Sequence, residues 1–248
     1  MSGDRGCIQR IAVPLLVAAV VTGTPAGAQA GPVHFLLAAE AAPDPAGRFS
    51  ASHLLVAEET GGGTAWSGDF LLQYALSDRW QVTADLASWN RESDHSRWRG
   101  VGVDILWCPH LPGDRAGHAV DLAVAVGPNE RSLTVQGLLE HDPGPWILVA
   151  GAGTTLAWSD ADGRRRAESG HLAVGAGRAV APGWRVGCEG LLGSGHAPDG
   201  PWRGHAHLGL DLTRETRRWW ITASLISGWS AGSRGNAWQT GLQAGVDF

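Results

Sequence analysis

Apolar and polar positions alternate with a period of two along most of this chain. The last run is the clearest. Trp238, Thr240, Leu242, Ala244, Val246 and Phe248 fall on one face, and Gln239, Gly241, Gln243, Gly245 and Asp247 fall on the other. A period of two is that of a β-strand. The same pattern, punctuated by turn residues, predicts strands over Phe49–Glu58, Ala65–Leu76, Trp80–Trp89, Arg97–Trp107, His118–Gly127 and Arg131–Glu140. The second half adds Trp146–Trp158, Ala167–Val180, Trp184–Ser194, Trp202–Thr213, Arg217–Trp229 and Ala237–Phe248. That makes about 12 strands, each near the ~9–11 residues a tilted strand needs to cross a bilayer.

The two faces of these strands differ in kind. Between His118 and Gly127, Val120, Leu122, Val124 and Val126 oppose Ala119, Asp121, Ala123 and Ala125. Between Trp202 and Thr213, Leu208, Leu210 and Leu212 oppose His205, His207 and Asp211. A charge in mid-strand must meet water or polar partners, because burying it alone costs several kcal/mol. The expected fold is therefore all-β: a transmembrane, antiparallel up-and-down β-barrel with its polar face on the lumen and its apolar face on lipid.

The connections and the tryptophans fit that picture. Short turns at Ser77–Arg79, His141–Pro145, Ala181–Gly183 and Arg214–Thr216 alternate with longer polar loops at Gly61–Gly63, Arg91–Ser96, Ser159–Arg166, Gly195–Pro201 and Ala231–Gly235. Cys108–Gly117 is long and Pro128–Glu130 short against this rhythm, which leaves the register near residues 108–130 open. Eleven of the 13 tryptophans sit near predicted strand ends. An indole has an apolar body and one N–H donor, so it favours the interface between hydrocarbon and water. Trp80, Trp184, Trp202, Trp219, Trp229, Trp238 and Phe248 are the candidates for two interfacial belts.

Two stretches carry a family resemblance. The alternating last strand with its terminal aromatic resembles the closing strand of bacterial outer-membrane β-barrels. The resemblance implies recognition by the barrel-assembly machinery and residence in the outer membrane. The hairpin Leu72-Gln73-Tyr74-Ala75-Leu76-Ser77-Asp78-Arg79-Trp80-Gln81-Val82 resembles the "EYGLTDRLEL" hairpin of the phenol-degradation meta-pathway transporter family. It covers one hairpin closely and the rest of the chain in architecture, and it adds little about substrate.

The start of the chain divides from the barrel. Arg5 and Arg10 precede an apolar run from Ile11 to Gly23, and Ala28-Gln29-Ala30 offers a cleavage site. Residues 1–30 are expected to be a signal peptide, 31–48 an Ala- and Pro-rich lead-in with room for one extra strand, and 49–248 the barrel. The net charge of about −6 after removal of the leader disfavours nucleic acid as a partner. Cys108 and Cys188 are too few for a disulfide scaffold and are expected to be free and buried.

No catalytic motif stands out: G-x-S-x-G, H-E-x-x-H and Walker loops are all missing from the sequence. Asp160-Ala161-Asp162-Gly163 lacks the later ligands of a calcium loop, so no cofactor is expected. His205 and His207 share a face without an evident third ligand, so no metal site is expected either. Parity sends Asp69, Gln73, Asp85, Asp104, Asp121, Gln136, Glu140, Glu189, His205, His207, Asp211, Gln243 and Asp247 inward, with Arg185 and Arg203 as basic partners. An acidic lumen favours cations.

The expected function is a passive outer-membrane channel or transporter for small solutes, with no large insert to act as a plug. Outer-membrane lipid, lipopolysaccharide and the solutes are its partners. The alternatives are a lipid-modifying barrel enzyme, disfavoured because no outward histidine accompanies Ser88 or Ser227, and a structural or adhesive barrel without transport.

Overall fold

The computed structural model describes residues 38, 41, 43–60, 63–92, 95–109, 116–128, 130–159, 165–196, 203–230 and 237–248. The expected signal peptide at 1–30 and the Asp160–Gly163 turn lie outside them.

Twelve antiparallel strands form one closed sheet. They are β1 (Phe49–Thr60), β2 (Gly63–Ser77), β3 (Trp80–Glu92), β4 (His95–Trp107), β5 (Ala116–Val126) and β6 (Glu130–His141). The ring continues through β7 (Trp146–Ser159), β8 (Arg165–Ala181), β9 (Trp184–His196), β10 (Arg203–Glu215), β11 (Trp219–Ser230) and β12 (Ala237–Asp247). Each strand pairs with its sequence neighbours, and β1 pairs with β12, so no edge is left unsatisfied. The seam is fastened at one rim, where the Phe248 amide donates to the Phe49 carbonyl at 2.9 Å and the two rings lie 5.7 Å apart.

Apolar side chains cover the outside. Leu208, Leu210 and Leu212 on β10 are 59%, 65% and 44% exposed, while His207 and Asp211 between and beside them are 8% and 5% exposed. An apolar outer wall around a polar interior inverts a soluble protein and suits a bilayer as solvent. Among the described residues no helix is long and apolar enough to cross a membrane.

Three local expectations need correction. Residues 93–94 alone separate β3 from β4, so the expected longer loop at Arg91–Ser96 is mostly strand, and Gly63 of the expected Gly61–Gly63 loop already belongs to β2. Near strand five the pairing is regular, with Trp107 opposite Val120 and Val101 opposite Val126. Cys108 is buried, but Cys188 is exposed on the outer wall beside Val186 and Leu192, because an odd–even parity that points Glu189 inward points Cys188 out. Neither cysteine is in a disulfide.

Candidate functional site

The inner face of the barrel is the candidate site. Register places Asp69, Gln73, Asp85, Asp104, Asp121, Gln136, Glu140, Arg185, Glu189, Arg203, His205, His207, Asp211, Gln243 and Asp247 on this face, since each pairs laterally with positions of the same parity. They are spread around the whole ring rather than gathered at one point. Trp80, Trp184, Trp219, Trp229, Trp238 and Phe248 are all on the outside and 39–77% exposed; Trp202 lies outside the described residues. At the short-turn rim, the guanidinium groups of Arg178 and Arg214 stack over Trp146 and Trp184 at 5.4 and 5.2 Å.

Inward polar side chains lie flat along the wall and cross to their neighbours over glycines. On β7, a Cβ at Gly153 would come within 2.7 Å of both Gln136 Cβ and His171 Cε1. The missing side chain therefore lets β6 and β8 meet across β7. His171 Nε2 lies 3.2 Å from Gln136 Oε1, and Gln136 Nε2 donates to Asp121 Oδ2 at 2.8 Å. The same device seats His205 over Gly193, His207 over Gly228 and Trp220 over Gly245. Thr134 bonds Thr155 at 2.8 Å, Thr213 bonds Thr222 at 3.0 Å, and the Ser224 hydroxyl donates to Asp211. The His205 and His207 rings are 5.5 Å apart, edge to face, and among the described residues no third ligand completes a metal site. His205 Nε2, His207 Nδ1 and Asp211 Oδ2 have no hydrogen-bond partner among the described residues.

Several inward groups escaped the sequence reading, Ser88, Arg99 and Trp220 among them. The pairing of β3 with β4 shifts between Asp85 and Ser88 and again between Ser88 and Trp89. These irregularities turn Ser88 inward, opposite Asp69, rather than to the outer wall. They also bring Arg99 within electrostatic range of Asp69 and Asp85. Trp220 faces inward and is 1% exposed, while its neighbour Trp219 faces out. A bulge leaves little mark in a polar–apolar pattern, and a Trp-Trp pair does not say which ring faces in.

The largest departure is inside the barrel. The described residues of the lead-in enter the lumen instead of adding a strand. At its base, the Gly47 amide donates to the Ala75 carbonyl at 2.8 Å. Arg48 pairs with Asp44 at 3.3 Å and with Asp247. Gln73 Nε2 donates to Asp44 Oδ2 at 2.6 Å, and the Asp44 amide donates to Gln81 Oε1 at 2.9 Å. Farther in, the Ala41 amide donates to Glu140 Oε2 at 2.8 Å, and Cys108 Sγ donates to the Ala41 carbonyl at 3.2 Å. The Ala38 amide donates to Glu189 Oε2 at 3.2 Å. Gln81 is on β3 and Glu189 on β9, six strands apart in either direction around the ring of twelve, so the segment crosses from one wall to the opposite one. Six residues can reach about 20 Å when extended.

No protein-family model matches the chain, and no curated protein matches it. Solved structures do. The chain is similar to a COG4313 outer membrane channel from Pseudomonas putida F1, with a TM-score of 0.67 at 10% identity over 84% of this chain and 98% of that one. It is also similar to the NanC porin, with a TM-score of 0.55 at 11% identity over 81% of this chain and 98% of that one. The KdgM porin in complex with disordered oligogalacturonate gives 0.51 at 9% identity, again over 81% and 98%. At these identities the likeness is one of fold: a closed barrel of the outer-membrane class.

Proposed function

We propose that this protein is a passive outer-membrane channel for small solutes, with a weak preference for cations. The observation that carries the proposal is the inner wall, polar around the whole ring and built flat. In this reading, side chains that bond sideways over glycines leave the middle of the barrel to water and solute. Buried polar groups are normally satisfied. The ring nitrogens His205 Nε2 and His207 Nδ1 are buried in this wall without a hydrogen-bond partner among the described residues, the kind of group a bound water satisfies. The inward acids outnumber Arg99, Arg185 and Arg203, and carboxylates on a pore wall favour cations. The channel and porin neighbours share the barrel and support the same reading.

The enzyme alternative gains nothing from the geometry. Ser227 is on the outer face of β11, whereas His171, His205 and His207 all point inward on other strands. Single-channel recording in planar bilayers, paired with liposome swelling in small sugars and amino acids, tests the proposal. Discrete conductance steps and swelling are expected. A folded barrel that shows neither would make it a structural protein.

A further inference from the structure

We propose that a cavity at the short-turn end of the inner face, beside the β8–β9 turn, is a binding site for a small zwitterion of the α-amino-acid class. Arg185 takes its carboxylate and Glu215 its ammonium group. This deepens the channel reading by naming a solute class, and its test separates the two.

The cavity comes from a local irregularity. Ala179, Arg185 and Thr213 form one lateral row, and Thr213 is on the inner face. Just beyond that row, the pairing of β8 with β9 shifts between Ala179 and Ala181. Such a shift bends the strand and interrupts the ladder. The result is a space of about 100 Å³ with Ala179, Ala181, Gly183, Arg185, Thr213 and Glu215 in its lining. The turn beside it is tied down. The Glu215 amide donates to the Gly183 carbonyl at 2.9 Å, and Arg214 Nη1 donates to the Pro182 carbonyl at 2.7 Å. The same guanidinium stacks over Trp184. Gly183 has φ +67°, and a Cβ there would collide with the Glu215 carbonyl oxygen. The walls are therefore set before any solute arrives, which lowers the cost of ordering them on binding.

The charges select the ligand. The Thr213 hydroxyl is already paired with Thr222 at 3.0 Å. Arg185 Nη1 is buried and has no hydrogen-bond partner among the described residues. A buried donor on a charged group is costly to leave unpaired, and a carboxylate matches the guanidinium fork. Glu215 lines the same cavity and disfavours a plain anion, because like charges at close range repel. An ammonium group carried beside the incoming carboxylate turns that repulsion into attraction. Size narrows the class. An apolar cavity of about 150 Å³ holds benzene. The smaller space here suits an amino acid with a short side chain, such as glycine or alanine.

The test uses the full chain refolded in detergent micelles, with the heat-dependent gel shift as the check on folding. Saturation-transfer NMR reads the binding of alanine, acetate and methylammonium without any need for conductance. Alanine is expected to bind severalfold better than either single-charge probe. Arg185→Gln is expected to weaken alanine binding about tenfold, the worth of one hydrogen bond to a charged group. Glu215→Gln is expected to move the preference from alanine to acetate. Ala179→Leu fills the cavity without touching a charge and is expected to abolish alanine binding, so it decides the question should a charge variant not fold. The proposal is overturned if the parent gives no alanine signal, or if acetate or methylammonium binds as well as alanine. It is equally overturned if Arg185→Gln or Ala179→Leu binds alanine like the parent, or if Glu215→Gln leaves the order of ligands unchanged. Binding by a barrel that shows no conductance in planar bilayers upholds the site and overturns the channel reading. Conductance without binding overturns the site alone.

Discussion

Two arcs of the barrel wall handle charge differently. From β6 to β11 the pairing runs without a shift until residues 179–181, at the short-turn rim. There, polar side chains are spaced by glycines on adjacent strands and settle into each other's gaps, as His171 does over Gly153 and His207 over Gly228. From β2 to β4 the pairing shifts four times. In that arc the charges are gathered: Asp69 and Asp85 come together with Arg99. A regular sheet spreads polar groups into a lining, and a bulged one concentrates them. Residues before β1 touch both arcs: Asp44 is held by Gln73 and Gln81 in the bulged arc and Ala38 by Glu189 in the regular one.

The sharpest way to break this comparison is at Gly100 in the bulged arc. Its φ is +151°, and a Cβ there would lie 2.3 Å from the Val126 carbonyl oxygen. Gly100→Val is expected to lose at least ~3 kcal/mol, from overpacking and a strained backbone together. Gly137→Ala in the regular arc has nothing within 4 Å and serves as the neutral control. Urea unfolding in lipid vesicles measures both, and equal costs would remove the distinction between the arcs.

Next in size is the outer wall of the regular arc. Leu210→Arg places a charge on the lipid face near mid-strand and should cost about 2–4 kcal/mol by the same measurement. Its neighbour Asp211→Asn should leave the barrel folded and act on ion selectivity instead. Gly153→Val should push His171 off Gln136 at a cost of ~1–3 kcal/mol. A histidine side-chain resonance unchanged in the variant would count against the lateral wall. The smallest effect is at the rim: Arg214→Ala removes the stack on Trp184 and should cost only about 0.5–1 kcal/mol.

Much of this barrel is legible as alternation. The twelve strands, the antiparallel order and the inward parity of His205, His207 and Asp211 follow from period two alone, because one face must meet lipid and the other cannot. The outward position of Trp80, Trp184 and Trp238 follows from the same parity. Ser88 and Arg99 are not legible, since a bulge inserts one residue and reverses the faces beyond it without changing composition. The inward position of the residues before β1 is not legible for a different reason. Ala38, Ala41 and Ala46 carry no pattern of their own, and their contacts are made through backbone amides that every residue has. Its signal lay on the other partner, in apolar residues at inward positions such as Leu106, Leu138 and Ile147, which a purely polar lumen has no use for.

The central claim is a hydrated, mildly acidic passage through the barrel, and the reversal potential of single channels in a potassium chloride gradient tests it most directly. A small shift toward the potassium equilibrium potential, growing when Arg99 or Arg185 is replaced by Gln, is the predicted result. A shift toward the chloride potential, or no conductance from the folded barrel, would contradict it.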